Sequence, residues 1–488
     1  MKKVLHISIF LFTSSFYSIA FSQPITFEKY YDHGAGEWGS SVKQTFDGGY
    51  IVAGTQWLGI GVSKIILQKV DSVGQTQWTK FLGGVYDNEG WSVKQTVDSG
   101  YIVTGYTSDA SYIHFIFLVK TDKNGNTQWT KSNISPTVPT FPGGPGTGYG
   151  RDVIQTINNE FLIVANYIDD TTRITLLIKT DTNGDTLWTK KQRSIFGHIG
   201  SSLKQTSDSG FIIAGRITLT YPVATFGTYL IKTDTNGDTL WTKTIKSSPD
   251  DCGAYSVVQT TDGGYFMCGY KYYLGPLSAD MYIIKTNSVG DTLWTKAFGG
   301  INGEDGWGGG WQTNDGGFIM AGLTTSFGAG GTDVYLVKTD NAGNLLWYKT
   351  FGGINSDQAN SIALTSDGGF IIAGQEGSFG NQSGNVYLIK TDSNGYAPTG
   401  ITFYDNFQSG ILVYPNPAHT SCTIKIMTDN PSSYSFVLFD QLGRTVRTEN
   451  ISADFEMQRE NLLAGMYFYT IIDANDAKNS WKGKLLIE

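Results

Sequence analysis

A tryptophan recurs in one local setting six times, at Trp78, Trp129, Trp188, Trp241, Trp294 and Trp347, at intervals of 51, 59, 53, 53 and 53 residues. An Asp-Gly-Gly-like turn keeps step with it at Asp47, Asp98, Asp208, Asp262, Asp315 and Asp367, and Asn158-Asn159 takes that place in the third unit. A period of this length marks a repeat architecture, in which each unit is one supersecondary motif stacked on its neighbours. The second unit reads as four short strands: 92–96, 101–105, 115–121 and 127–131. Each is rich in β-branched and aromatic residues and bounded by turn residues. The Asp-Ser-Gly and Asn-Gly turns suit hairpins because their residues accept positive φ. Four antiparallel strands in about 50 residues make a propeller blade.

The count predicts how the ring closes. Seven turns are present but only six tryptophans, and the seventh unit stops at Asn394-Gly395 without a fourth strand. Ile25 to Tyr31 supplies a strand just before the first unit. The expected fold is therefore all-β: a seven-bladed propeller over 23–396, with the N-terminal strand completing blade seven. Such closure covers strand edges that would otherwise template aggregation.

The run Lys232-Thr233-Asp234-Thr235-Asn236-Gly237-Asp238-Thr239-Leu240-Trp241 places the aromatic four residues after the turn glycine. This resembles the tryptophan-docking motif of quinoprotein propellers, with one residue fewer between aspartate and glycine. The resemblance implies that the six tryptophans wedge between blades, where large rings bury much apolar area. It does not carry a quinone, because the chain lacks the adjacent cysteine pair that such dehydrogenases typically have. The Asp-x-Asn-Gly-Asp run lacks the glycine at position six and the glutamate at position twelve of an EF-hand, and reads as a hairpin turn. No cofactor and no metal are expected, and His33, His114 and His198 are too dispersed in sequence for a metal motif.

The two ends read differently. Lys2 and Lys3 precede a mostly apolar stretch to Phe21, with small residues before Gln23, so 1–22 is expected to be a secretory signal peptide. No later segment reaches the roughly 18 apolar residues of a spanning helix. Beyond a linker at 397–409, residues 410–488 carry Tyr414-Pro415-Asn416-Pro417, Leu442-Gly443-Arg444, Leu463-Ala464-Gly465-Met466-Tyr467 and a Lys484-Leu485 ending. These resemble the C-terminal sorting domain of the type IX secretion system of Bacteroidota. The resemblance implies an immunoglobulin-like β-sandwich. It further implies the secretion machinery and a sortase-like protease as partners, and release or attachment at the outer-membrane surface. Three cysteines are too few for a disulfide-stapled exported fold, although a Cys252–Cys268 bond is conceivable. A net charge of −8 argues against nucleic acid as a partner.

The Asp-Gly-Gly and Asn-Gly turns fall on one face and are uniform. The other loops fall on the opposite face and vary, as in 55–62, 132–150, 218–227 and 270–278. Variable loops carry recognition, so that face is the expected site. Between Gln23 and Gly400 the four arginines are Arg151, Arg173, Arg193 and Arg216, all expected at strand ends of blades three and four. Carboxylates precede the innermost strands of other blades: Glu37, Glu89, Asp251, Asp305 and Asp357, with Asp87 and Glu304 beside them. Trp38, Trp57, Trp91, Trp307 and Trp311 have no docking role. Aromatic faces stack on sugars, carboxylates accept hydroxyl hydrogen bonds and arginines hold acidic groups, so these residues are glycan-site candidates. The bland alternative is that acids tie loops and tryptophans fill gaps. No motif marks a catalytic centre. The preferred reading is a non-catalytic binding or adhesion module for a glycan or surface protein. A polysaccharide-active hydrolase or lyase using paired carboxylates and a structural surface-layer component are the alternatives. The four arginines loosely resemble those of sialidases, but that family's Asp-box spacing is absent.

Overall fold

The computed structural model describes residues 25–132, 147–168, 173–192, 197–220, 225–247, 249–273, 278–379, 384–397, 409–414, 420–428, 433–440, 443–452, 455–473 and 480–487. The expected signal peptide, most of the expected linker and Arg193 lie outside them. Seven four-stranded antiparallel sheets follow one another along the chain as blades one to seven. Blade one is Gly36–Gln44, Tyr50–Gly59, Val62–Val70 and Thr76–Leu82 in spatial order. The middle strands of each blade are buried on both faces, because blades pack face to face, and so they read as continuous apolar runs such as Phe211 to Ala214. Only the outermost strands alternate between half-buried and exposed, as in Thr239–Ile245.

The alternation aims the repeating tryptophan at the next blade, where its ring lies against the glycine of that blade's Asn-Gly-type turn. A Cβ on Gly125 would come within 2.6 Å of Trp78, on Gly184 within 2.7 Å of Trp129, and on Gly290 within 2.7 Å of Trp241. These glycines also have φ of +76°, +79° and +82°, so two independent constraints exclude a side chain there. Trp78 meets Tyr101 edge-on at 5.8 Å and Trp294 meets Phe318 at 5.7 Å. The turns themselves are hairpins: in blade four the Asp234 carboxylate accepts the N–H groups of Asn236 and Asp238 at 2.9 and 2.8 Å.

Blade seven is completed by the N-terminal strand Phe27–Tyr31, which pairs antiparallel with Asn385–Thr391 in the register Phe27↔Lys390 to Tyr31↔Val386. Phe27 stands where the other blades have tryptophan. It meets Tyr50 of blade one edge-on at 5.9 Å and 67°, and a Cβ on Gly74 would lie 2.8 Å from its ring. Tyr31 donates to the Gly74 carbonyl at 2.6 Å and Lys29 to that of Val73 at 2.7 Å. One strand thus pairs with blade seven and docks on blade one.

Each blade also carries a clasp. A third-strand lysine, such as Lys285 or Lys338, reaches the aspartate of the Asp-Gly-Gly turn, Asp262 or Asp315, at 2.8 Å. The glycine ending that turn leaves room for the ammonium, since a Cβ on Gly264 would lie 2.6 Å from Lys285 Nζ. Blade three has Asn158 and Glu160 instead, and there the carboxylate of Glu160 itself takes Lys179 at 2.6 Å.

The C-terminal region forms a three-stranded sheet (Ser409–Tyr414, Ser421–Thr428, Phe455–Gln458) and a four-stranded one (Thr445–Ile451, Tyr434–Phe439, Gly465–Asp473, Ser480–Ile487). One core joins them, with Cys422, Ile424 and Met457 from the first packed with Phe436, Ile471 and Leu485 from the second. Cys252, Cys268 and Cys422 are buried free thiols, so Cys252 and Cys268 are not joined.

Phe27→Ala removes the seventh ring and is expected to cost about 3 kcal/mol, whereas Phe27→Trp restores the repeat residue and should cost about 1 kcal/mol or less. Denaturant midpoints measure both. An unchanged midpoint for Phe27→Ala would contradict the closure described here.

Candidate functional site

The innermost strands, Gly36–Gln44, Asn88–Gln95, Thr147–Gln155, His198–Gln205, Asp251–Gln259, Glu304–Gln312 and Gln358–Leu364, surround an axial cavity of about 680 Å³. Register divides it into two ends. Each of the first six strands finishes on a glutamine beside the short turn, and in several blades this side chain accepts the preceding blade's turn N–H, as Gln95 does from Phe46 at 2.7 Å. The residue before that position is Lys43, Lys94, Lys204 or Trp311 in blades one, two, four and six, and all four line the cavity.

Two residues further back most blades have serine: Ser41, Ser92, Ser202, Ser256 and Ser361. These hydroxyls lock neighbouring strands, since Ser41 accepts the Val93 N–H at 3.2 Å and Ser361 that of Val42 at 3.2 Å. Blade three has Asp152 instead, which accepts from the Ser92 hydroxyl at 2.7 Å and the Leu203 N–H at 3.1 Å. It also pairs with Lys94 at 3.1 Å and Lys204 at 3.3 Å. Despite burial, these partners hold its carboxyl far below the ordinary range.

Towards the variable loops the lining becomes aromatic. The β-bulge in each innermost strand turns Trp91, Arg151 and Tyr255 into the cavity, and Trp38 and Trp307 join them. Trp91 stacks on Tyr149 at 5.6 Å and 12°, donates from Nε1 to Glu89 at 2.8 Å, and carries the Arg151 guanidinium 4.3 Å over its ring. Arg216 lies 4.3 Å over Phe226 and 3.5 Å from the Tyr270 hydroxyl. Tyr255 meets Trp307 edge-on at 6.0 Å and reaches Asp305 at 3.4 Å. Burial pushes the Asp305 carboxyl up to about 7.

The expected candidates therefore separate. Arg151, Arg216, Trp38, Trp91 and Trp307 come together in the cavity, and Glu89 and Asp305 contact its lining. Arg151 and Arg216 lie within strands rather than at the strand ends expected, because their strands run past them to the variable face. Arg173 is exposed at the start of Arg173–Thr180, and Trp57, 49% exposed, stands two residues before the end of Tyr50–Gly59; neither lines the cavity. Three of the acids are already hydrogen-bonded to neighbouring loops and strands. Glu37 binds His33 Nδ1 at 2.7 Å and Gln56 at 3.0 Å, Asp251 accepts the Phe226 N–H at 2.8 Å, and Asp357 accepts those of Gly353 and Gly377 at 2.8 and 3.0 Å. Lys43, Lys94, Lys204, Asp152, Tyr255 and Tyr270 were not among the candidates. Aligning the repeats column by column exposes the first four, which stand where other blades carry apolar residues or serine. Among the described residues no cluster of three His, Cys, Asp or Glu side chains is placed to hold a metal.

Asp305 gives a pH signature. Its carboxyl holds a proton up to about 7 in the folded chain but only to the ordinary 3.8 when unfolded, so stability falls as pH rises between those values. Asp305→Asn should remove this part of the slope. Melting temperatures at about pH 5 and about pH 8 check it, and equal slopes in the two proteins would contradict the assignment.

No curated protein matches the chain. Among solved structures it is similar to the extracellular domain of a hybrid two component system from B. thetaiotaomicron (9% identity, TM-score 0.39, 96% of this chain and 58% of that one). It is also similar to a protein of unknown function from Dyadobacter fermentans (10%, 0.41, 75% and 97%) and to polysaccharide lyase Uly1 (11%, 0.46, 76% and 98%). The chain thus spans less than two thirds of the first of these, and such identities say nothing of activity. Residues 412–488 match the family described as secretion system C-terminal sorting domain, and this chain is accordingly a type IX-exported protein, secreted or held at the cell surface, with a propeller ahead of its sorting domain.

Proposed function

We propose that the propeller is a non-catalytic binding module that takes an acidic glycan at the aromatic end of its axial cavity. The supporting observation is the convergence of Trp38, Trp91, Tyr255 and Trp307 with the guanidiniums of Arg151 and Arg216 on one concavity. Ring faces stack on sugars and excluded guanidiniums grip carboxylates or sulfates. Glycosidase chemistry asks for two carboxyl groups about 5–10 Å apart. Among the described residues the cavity lining offers one, Asp152, whose oxygens are taken by two ammoniums, a hydroxyl and an amide. Screening the purified chain on a glycan array should reveal acidic ligands, and Trp91→Ala or Arg151→Ala should weaken binding about tenfold or more without lowering the melting temperature. Failure to bind any glycan, or unchanged affinity in both variants, refutes the reading.

One observation favours the second reading, a polysaccharide hydrolase or lyase. Asp305 is a carboxyl raised to about 7 beside the Tyr255 hydroxyl, and such a group can exchange protons near neutrality. Incubation with a polysaccharide panel, followed by assay of new reducing ends, decides it. Removal of 410–488 is expected to retain the chain inside the cell envelope with its propeller folded, as read by fractionation and limited proteolysis. Secretion of the truncated chain at the normal level would contradict the sorting role.

A further inference from the structure

The opposite end of the same cavity has different chemistry. Lys43, Lys94 and Lys204 come from three blades at one register position, and the carboxylate that acts on Lys43 electrostatically is Asp152. Lys94 and Lys204 are paired with it, at 3.1 and 3.3 Å. Lys43 has no ion-pair partner among the described residues. Its Nζ donates to its neighbour's carbonyl, Val42 O, at 2.8 Å and lies 5.8 Å over the Trp311 ring, which also faces Lys204 at 5.9 Å. Three ammoniums thus share one carboxylate inside a cavity, in a chain whose net charge is −8. Such a surplus is costly unless an anion answers it, and low-dielectric walls strengthen that attraction.

We propose that Lys43, Lys94 and Lys204, floored by Trp311, form an anion site for a sulfate, phosphate or carboxylate group. The site is independent of what the aromatic end binds. Burial, and then the neighbouring Lys94 and Lys204, push the Lys43 pKa well below the ordinary lysine range, and a bound anion would favour its charged form again. The ligand is defined by its oxyanion, which arrives either as a free ion or as a substituent on a sugar.

Calorimetric titration of the purified chain at constant ionic strength tests this, with inorganic sulfate, inorganic phosphate, a sulfated monosaccharide and a uronic acid as separate arms. At least one arm should saturate at one site per chain. Lys43→Met should weaken it about tenfold or more, while Lys43→Arg should stay within about threefold of the parent. A free ion binding as tightly as any sugar marks the free ion as the source; a sugar binding about tenfold more tightly marks the substituent. A second readout needs no variant: acylation of Lys43, followed by mass spectrometry, should slow when the bound anion is present and should not respond to chloride at equal ionic strength. Absence of saturation in every arm, equal affinity in Lys43→Met, or unprotected Lys43 overturns the proposal. None of these results depends on Trp91 or Arg151, so the two sites fail or stand separately.

Discussion

The contact on which this architecture depends is a large ring pressed against a glycine of the next blade. Blades have no covalent tie beyond the chain itself, and all three thiols are free. Sheet hydrogen bonds stay within each blade, so cohesion between blades falls to packed rings, buried aliphatic clusters and a few cross-blade hydrogen bonds. The turn glycine is needed twice over, for its positive φ and for the space its missing Cβ leaves to the ring. A cyclic array is only as stable as its last interface, and that interface uses Phe27 on a strand contributed from the far end of the sequence.

Much of this was legible because the repeat is long-range evidence about packing. The interval of the tryptophans gave the blades, and the blade lacking a fourth strand identified where Ile25 to Tyr31 belongs. The seventh docking ring was not legible, because phenylalanine replaces tryptophan and the surrounding Thr-x-Trp-Thr-Lys pattern survives only in Lys29. The exchange of the Asp-Gly-Gly aspartate for Glu160 in blade three was likewise hidden, since the carboxylate moves along the turn while the ion pair is kept.

The site was legible in composition but not in position. Scarce arginines and undocked tryptophans stand out in the sequence, yet Arg151 and Trp91 reach the axis through a β-bulge, which no alternation pattern reports. Conspicuous acids proved different in kind: Glu37 and Asp357 satisfy backbone and side-chain donors of loops, the ordinary fate of a buried carboxylate. The lysines escaped notice because Ser-Val-Lys-Gln-Thr looks like a solvent-facing strand until seven such strands are brought around one axis.

The resulting cavity is polarised, with rings and guanidiniums towards the variable loops and ammoniums towards the short turns. We place the ligand of the exported protein in this cavity, not on the outer surface. Hydroxyl-radical footprinting of individual tryptophans, with and without acidic surface polysaccharide, tests it most directly. Trp91 and Trp307 should be protected, with Trp57 unchanged. Protection of Trp57 with Trp91 and Trp307 unchanged would contradict it.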